Sequence, residues 1–283
     1  MSRQVRTTPP VCRRTVTSPD GTTIGYQTLG SGPDVIVIGG ALRTAEDYLP
    51  FASTLAGSST VHVVDRRGRG ASGPQGPGYT LGTEVEDLLA VQADTGARLA
   101  FGHSYGGLVA LETARSSRVF ERIVVYEPGT PADSIATGWM GPYRERLAAG
   151  DDYGAFAHFI QGSGGAPRIV SRLPHWYLRA ALRVGFRGQS WRRMQPLLEA
   201  NLAEHQQVTA QQGRLAAFSA VTAPVLLLVG GRTVRSSGTG SFEALRDTLP
   251  DAGLEVLPGL DHFGPEGAHA EVVARRAETF LLS

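Results

Sequence analysis

The residues with the most chemistry in them form one short stretch, Gly102-His103-Ser104-Tyr105-Gly106-Gly107. A serine at a tight corner between a strand and a helix holds its hydroxyl clear of the sheet. It then faces a helix N-terminus, where free N–H groups and the helix dipole favour the negative charge that develops during acyl transfer. Such a corner imposes a strained backbone angle, and side chains two positions before and two after it would strike the strand and the helix. Gly102 and Gly106 occupy those two positions, so residue types and spacing point to Ser104 as a nucleophile.

The elements that must hold this corner are legible around it. Leu99, Ala100 and Phe101 form a short apolar strand, and Leu108, Val109, Leu111 and Ala114 recur at helical spacing after it. Upstream, Thr15 to Thr17 and Thr22 to Thr28 flank the turn Ser18-Pro19-Asp20-Gly21, which predicts an antiparallel hairpin at a sheet edge. Val35 to Ile38, Val61 to Asp65 and Ile123 to Tyr126 read as buried strands, and Thr83 to Asp94 as a helix. Strand and helix alternate up to residue 128, which implies an α/β fold with a mostly parallel central sheet flanked by helices. From 129 to 213 only helical patterns and loops appear: Gly141 to Ala149, Tyr153 to Phe159, His175 to Val184 and Trp191 to Ala210. The alternation resumes with Pro224 to Val229, a helix from Ser241 to Leu249, a strand from Leu254 to Leu257 and a terminal helix from His269 to Leu281.

The strand, the Gly-x-Ser-x-Gly turn and the helix together resemble the nucleophile elbow of the α/β-hydrolase superfamily. Asp65-Arg66-Arg67-Gly68-Arg69-Gly70-Ala71-Ser72 resembles a loop of the same superfamily and reads as structural, holding a turn beside the site. The resemblance implies an α/β-hydrolase core at 15–128 and 214–283, a helical cap inserted at 129–213, and a loose tail at 1–14. It implies an oxyanion hole from the backbone N–H groups of Ala41 and Tyr105, although Gly39 stands where related enzymes usually carry a histidine. It also implies that His262, between the last short strand and the terminal helix, is the base. The acid departs from the pattern. Thr233 stands where an aspartate is most common, and no carboxylate follows Val229 before Glu243. Glu127, one strand earlier, is the acid expected here, with Asp261, Asp133 and no acid at all as the alternatives.

The implied activity is that of a serine hydrolase acting on an ester, lactone or thioester of a bulky apolar small molecule. Leu42 and the cap aromatics Trp139, Tyr143, Phe159 and Trp176 are the expected substrate contacts. A lyase, a cyclase, a cofactor-free haloperoxidase or a ligand-binding protein with a vestigial site are rivals on the same scaffold. Composition narrows the rest. A net charge of +1 gives no reason to expect nucleic acid as a partner. All 27 basic residues are arginine, which excludes a Schiff-base lysine, a lysine-anchored pyridoxal cofactor and a P-loop lysine. No two histidines have metal-site spacing with a carboxylate partner, so neither metal nor cofactor is expected. The single cysteine and the absence of a long apolar run predict a cytoplasmic protein without a membrane span, and leave monomer and homodimer both open.

Overall fold

The computed structural model describes residues 10–131, 135–164 and 168–283. Eight strands form one sheet: β1 (Cys12–Thr17), β2 (Thr23–Gly30), β3 (Asp34–Ile38), β4 (Thr60–Asp65), β5 (Leu99–His103), β6 (Arg122–Tyr126), β7 (Val225–Gly230) and β8 (Ala252–Leu257). Their order is β1-β2-β4-β3-β5-β6-β7-β8. The β1–β2 and β2–β4 pairs are antiparallel and the other five are parallel. Cys12, Arg13 and Arg14, expected within a loose tail at 1–14, instead pair with Thr28, Gln27 and Tyr26 as the start of the hairpin.

Period-two alternation on the central strands divides the core in two, because successive side chains point to opposite faces. Ile36, Ile38, Ala100, Ile123, Val125, Val225 and Leu227 pack on one face with α2 (Leu81–Thr95), α3 (Tyr105–Ser117) and Leu245 of α11 (Gly240–Thr248). Val35, Val37, Phe101, Val124, Tyr126, Leu226 and Leu228 pack on the other with α1 (Leu49–Leu55) and α12 (Ala270–Leu281). Helix α1 goes unread in the sequence; the Thr44/Asp47 capping box ahead of it and Pro50 in its first turn are signals for it.

Between β6 and β7 the described chain is helical: α4 (Met140–Ala148), α5 (Asp152–Gly162), α6 (Arg168–Ser171), α7 (His175–Gly185), α8 (Gln189–Met194) and α9 (Leu198–Ala210). The single helix expected from Trp191 to Ala210 is two, because Pro196 lies in a 3-10 turn, Gln195–Leu197, between α8 and α9. Directly after β7 the chain forms a helix, α10 (Gly231–Ser237), and Thr233 lies within it. These helices bury an apolar cluster of their own, including Trp139, Tyr143, Trp191, Met194 and Leu198, which Leu42 of the sheet layer joins. Among the described residues, no helix is long and apolar enough to cross a membrane.

A buried ionic cluster ties these helices to the sheet layer. Glu204 of α9 meets the Arg66 guanidinium at 3.0 Å and also contacts Arg69, while Arg66 bonds Glu84 of α2 at 2.7 Å. Burial opposes ionisation of Glu204, but the charges of Arg66 and Arg69 outweigh it and hold its carboxyl below the ordinary value. Such a group stabilises the fold above its unfolded-state pKa, and the contribution disappears as pH falls through the folded-state value. Glu204→Gln leaves the buried Arg69 without its counter-charge and Arg66 with Glu84 alone, and should cost about 3–5 kcal/mol. Chemical denaturation at neutral pH reads that loss, and the gap to wild type should narrow on acidification. A variant within about 0.5 kcal/mol of wild type would show that the cluster does not hold the helices down.

Candidate active site

Ser104 sits between β5 and α3 with φ 53° and ψ −121°, a conformation that non-glycine residues rarely adopt. Its glycine flanks are needed for the reason the sequence suggests. A Cβ at Gly102 would lie 2.6 Å from the Gly106 carbonyl oxygen, and one at Gly106 would lie 2.3 Å from that of Ile38. The ladder holds the corner in place. The Ser104 N–H donates to the Tyr126 carbonyl at 3.0 Å, and the Ser104 carbonyl accepts from Gly107 at 3.0 Å and Gly129 at 2.9 Å.

Three side chains expected from the sequence converge here. His262 Nε2 lies 3.2 Å from Ser104 Oγ, and its Nδ1 lies 2.8 Å from Glu127 Oε2. Glu127 follows directly on β6 with φ 41°, is 4% exposed, and accepts a second hydrogen bond at Oε1 from the Gly230 N–H at 2.8 Å. Both carboxylate oxygens are therefore held, and the imidazole is fixed in the row. The one alternative residue among those described, Asp261, stands apart from it. Asp261 is about half exposed, 3.6 Å from Arg232, and caps the Phe263 N–H; Thr233 offers no carboxylate. Asp133 lies outside the described residues.

Gly40 approaches Ser104 across the fold, with Ala41 next in the chain, and Tyr105 follows Ser104 directly. The loop after β3 runs alongside the elbow, close enough that a Cβ on Gly40 would be 3.1 Å from Ser104 Cβ. The arginines of the Asp65–Ser72 loop hold it. Arg66 donates to the carbonyls of Gly39 at 2.9 Å and Gly40 at 3.1 Å, and Arg69 donates to that of Arg43 at 3.2 Å. Tyr105 is the first residue of α3, and its buried ring lies under the Arg66 guanidinium at 4.8 Å.

The structure treats the expected substrate contacts unevenly. Tyr143 is fully buried within the helical layer, its hydroxyl donating to the Leu198 carbonyl at 2.8 Å, which makes it a core residue. Trp139 is 5% exposed and meets Tyr143, Phe159 and His205 edge-on. Trp176 does not join them: it is 71% exposed on α7, where its ring contact is Tyr177. Leu178, two residues on, is the buried residue of that helix, and the helical turn leaves Trp176 on the outer face. Leu42 lines a cavity of about 450 Å³ with Phe186 and Met194, and Arg43, Arg193 and Glu266 give that cavity charged walls. Two neighbours of the row escape sequence reading: Gly230, through its backbone N–H to Glu127, and Tyr48, whose hydroxyl accepts from the Gly40 N–H. The His205 Nδ1 donates to the Asn201 carbonyl at 2.8 Å, and burial, with the nearby charge of His262 a smaller cause, lowers its pKa.

Comparison with known proteins agrees with this architecture. The model of the alpha/beta hydrolase family matches residues 35–276, from β3 into α12. Two curated relatives are pimeloyl-[acyl-carrier protein] methyl ester esterases. That of Aliivibrio salmonicida (strain LFI1238) is 31% identical over 122 residues, 42% of this chain and 45% of that protein. That of Pectobacterium carotovorum subsp. carotovorum (strain PC1) is 34% identical over 122 residues, 42% of this chain and 46% of that protein. The match thus spans slightly less than half the length of either. Among solved structures, an alpha/beta hydrolase from Sphaerobacter thermophilus DSM 20745 superimposes with TM-score 0.78 at 28% identity, covering 94% of this chain and 99% of that one. Est816, described as an N-acyl homoserine lactone degrading enzyme, shares the fold at TM-score 0.63 and 22% identity, over 94% of this chain and 98% of its own. With the family model matched over most of its length and the same sheet in its solved neighbours, the chain belongs to the alpha/beta hydrolase family.

Proposed function

We propose that this protein is a serine hydrolase that cleaves an ester, lactone or thioester of a bulky apolar small molecule through an acyl-enzyme on Ser104. The observation that carries the reading is the hydrogen-bonded row from Ser104 through His262 to Glu127, standing on a strained elbow. The Glu127 carboxylate accepts the Nδ1 proton, so Nε2 presents a lone pair to the serine hydroxyl. His262 takes the Oγ proton as Oγ attacks the acyl carbon, and Glu127 stabilises the imidazolium. Collapse of the tetrahedral adduct expels the leaving group, which receives that proton from Nε2. Water, deprotonated by the same nitrogen, then attacks the acyl-enzyme, and Ser104 recovers its proton as the acid departs.

The N–H groups of Ala41 and Tyr105 serve as oxyanion donors in this scheme. A trans peptide directs its N–H opposite its carbonyl. The Gly40 carbonyl points at Arg66, so the Ala41 N–H of the same peptide points away from that guanidinium. The Tyr105 N–H is one of the free donors of the first turn of α3. The described residues of 129–213 act as the cap over this centre in this reading, with Leu42, Trp139 and Phe159 as apolar substrate contacts. The esterase names of the two curated relatives support ester chemistry.

Three outcomes test the reading. Ser104→Ala should fold and lose at least about 10³-fold in kcat, and a fluorophosphonate probe should cease to label it; labelling that persists or maps to another serine overturns the assignment. Glu127→Gln keeps an acceptor for Gly230 but turns an amide N–H₂ toward His262, so the ring adopts the tautomer whose Nε2 is already protonated. Its kcat should fall by about 10² to 10⁴ at neutral pH with the fold intact, and a value within about threefold of wild type would place the acid elsewhere. Across p-nitrophenyl esters, kcat/KM should rise with apolar bulk of the acyl group. A preference for acetate over aromatic or long-chain esters would exclude the apolar pocket.

A further inference from the structure

His103, inside the elbow, is buried behind the row just described and has both ring nitrogens bonded. Its Nε2 is 2.8 Å from the His262 carbonyl oxygen, and its Nδ1 is 2.6 Å from the Tyr48 hydroxyl. That hydroxyl is in turn 2.8 Å from the Gly40 N–H. The chemistry of the two ends fixes every proton between them. A carbonyl only accepts, so Nε2 carries hydrogen; a backbone N–H only donates, so the Tyr48 oxygen accepts from Gly40 and gives its own hydrogen to Nδ1. One neutral tautomer satisfies the chain. A second ring proton would leave the Tyr48 hydrogen without an acceptor in a site closed to water.

We propose that Tyr48 and His103 are positioning residues that hold the Gly40-Ala41 loop and the His262 loop in register on either side of Ser104. The inference rests on the hydrolase reading for its catalytic consequence, but the hydrogen-bond chain stands without it. Space on the Tyr48 side is reserved for this arrangement. A Cβ on Gly39 would lie 2.5 Å from Tyr48 Cε2, so the absence of a side chain at 39 admits the ring that reaches Gly40. The far end is braced by the neighbouring strand, whose Tyr126 hydroxyl donates to the Asp261 carbonyl at 2.7 Å, one residue before His262. Burial first, and the charge of His262 second, hold the His103 pKa well below the usual range. The other charged groups facing it are Glu266, 3.6 Å from Nδ1, and Arg43, which bonds Glu266 at 2.6 Å. His103 therefore stays neutral when His262 gains its proton.

The register matters because a displacement of about 1 Å in a reacting group costs on the order of 10²-fold in rate while leaving substrate affinity largely intact. Tyr48→Phe keeps the ring and removes the link. It should lose about 10- to 100-fold in kcat with KM within about threefold, at a thermal midpoint that remains above the assay temperature. His103→Gln retains one acceptor and one donor and should stay closer to wild type than His103→Phe, which fills the volume and offers neither. Nitrogen-15 spectra of the imidazoles, recorded on wild type and on Ser104→Ala, read the chain directly. His103 should show the Nε2–H tautomer unchanged from about pH 5 to about pH 8. A His103 that titrates in that range or carries its proton on Nδ1 overturns the chain, and a folded Tyr48→Phe within about twofold of wild-type kcat overturns the positioning role. If Ser104→Ala remains active, the hydrolase reading falls instead, and the nitrogen spectra still decide whether the proton-ordered chain exists.

Discussion

The candidate site depends on backbone segments packed closer together than side chains allow. The elbow presses on the end of β3, where a Cβ on Gly106 would lie 2.3 Å from the Ile38 carbonyl oxygen and 2.6 Å from that of Gly39. The loop bearing His262 presses on β7, where a Cβ on Gly230 would lie 2.7 Å from the Leu260 carbonyl oxygen. These approaches bring Ser104, the Gly40-Ala41 loop and His262 within reach of one another. They also concentrate strain. Of the four described non-glycine residues with positive φ, Leu42 at 59°, Ser104 at 53° and Glu127 at 41° lie just beyond the C-terminal ends of β3, β5 and β6. Each such conformation costs on the order of 1–3 kcal/mol and persists only where its surroundings over-determine it. Here the parallel ladder continues through the strained residues, with Ser104 donating to Tyr126 and Glu127 donating to Leu228 at 2.9 Å.

Two buried polar systems meet at the loop after β3, from opposite sides. Arg66 grips the carbonyls of Gly39 and Gly40 while bonding Glu84 and Glu204, so the loop, helix α2 and helix α9 share one cluster of charges. Tyr48 holds the Gly40 N–H from the other direction and passes the connection to His103 and the His262 carbonyl. The ionic side is charged and ordered by Coulomb attraction in a medium of low polarity; the other is neutral and ordered by the fixed sense of each donor and acceptor. The neutral system passes directly behind the His262 ring, with the Glu266–Arg43 pair as the charge nearest to it, 3.6 Å from His103 Nδ1.

How much of this the sequence reveals follows from how local each feature is. The elbow is legible because steric demands at Ser104 act on residues two positions away, and the central strands are legible because their apolar runs are buried on both faces. The terminal hairpin begins at Cys12 although its first three residues are polar and exposed, since an edge strand is recruited by its partner's backbone and leaves no apolar pattern. The helical layer resists reading for a different reason. Trp139 meets Tyr143 edge-on and Trp191 stacks on Tyr153 within one buried cluster of α4, α5 and α8, so aromatic composition marks a core there as readily as a pocket. Trp176 and Tyr143 have the same chemistry on paper and opposite fates in the fold, 71% exposed and fully buried, because helix orientation sets them apart and composition does not encode it.

The position of Glu127 follows from the same close packing. After β7 the chain passes through Gly230 directly into α10, leaving no turn on which an acidic side chain could extend toward His262. Two glycines at that point, Gly230 and Gly231, let the 257–262 segment settle onto the strand end, and Arg232 N–H donates to the Leu260 carbonyl at 2.8 Å to keep it there. Because the loop bearing His262 lies so low, a carboxylate rising from the neighbouring strand can span the distance, and the longer side chain of glutamate supplies the reach. The backbone of β7 still takes part: the Gly230 N–H bonds Glu127 Oε1 at 2.8 Å, and Oε2 faces His262 at the same separation. A carboxylate with each oxygen claimed by a single fixed donor has one orientation available, so Glu127 is ordered in part by β7, the strand after which the sequence carries no carboxylate.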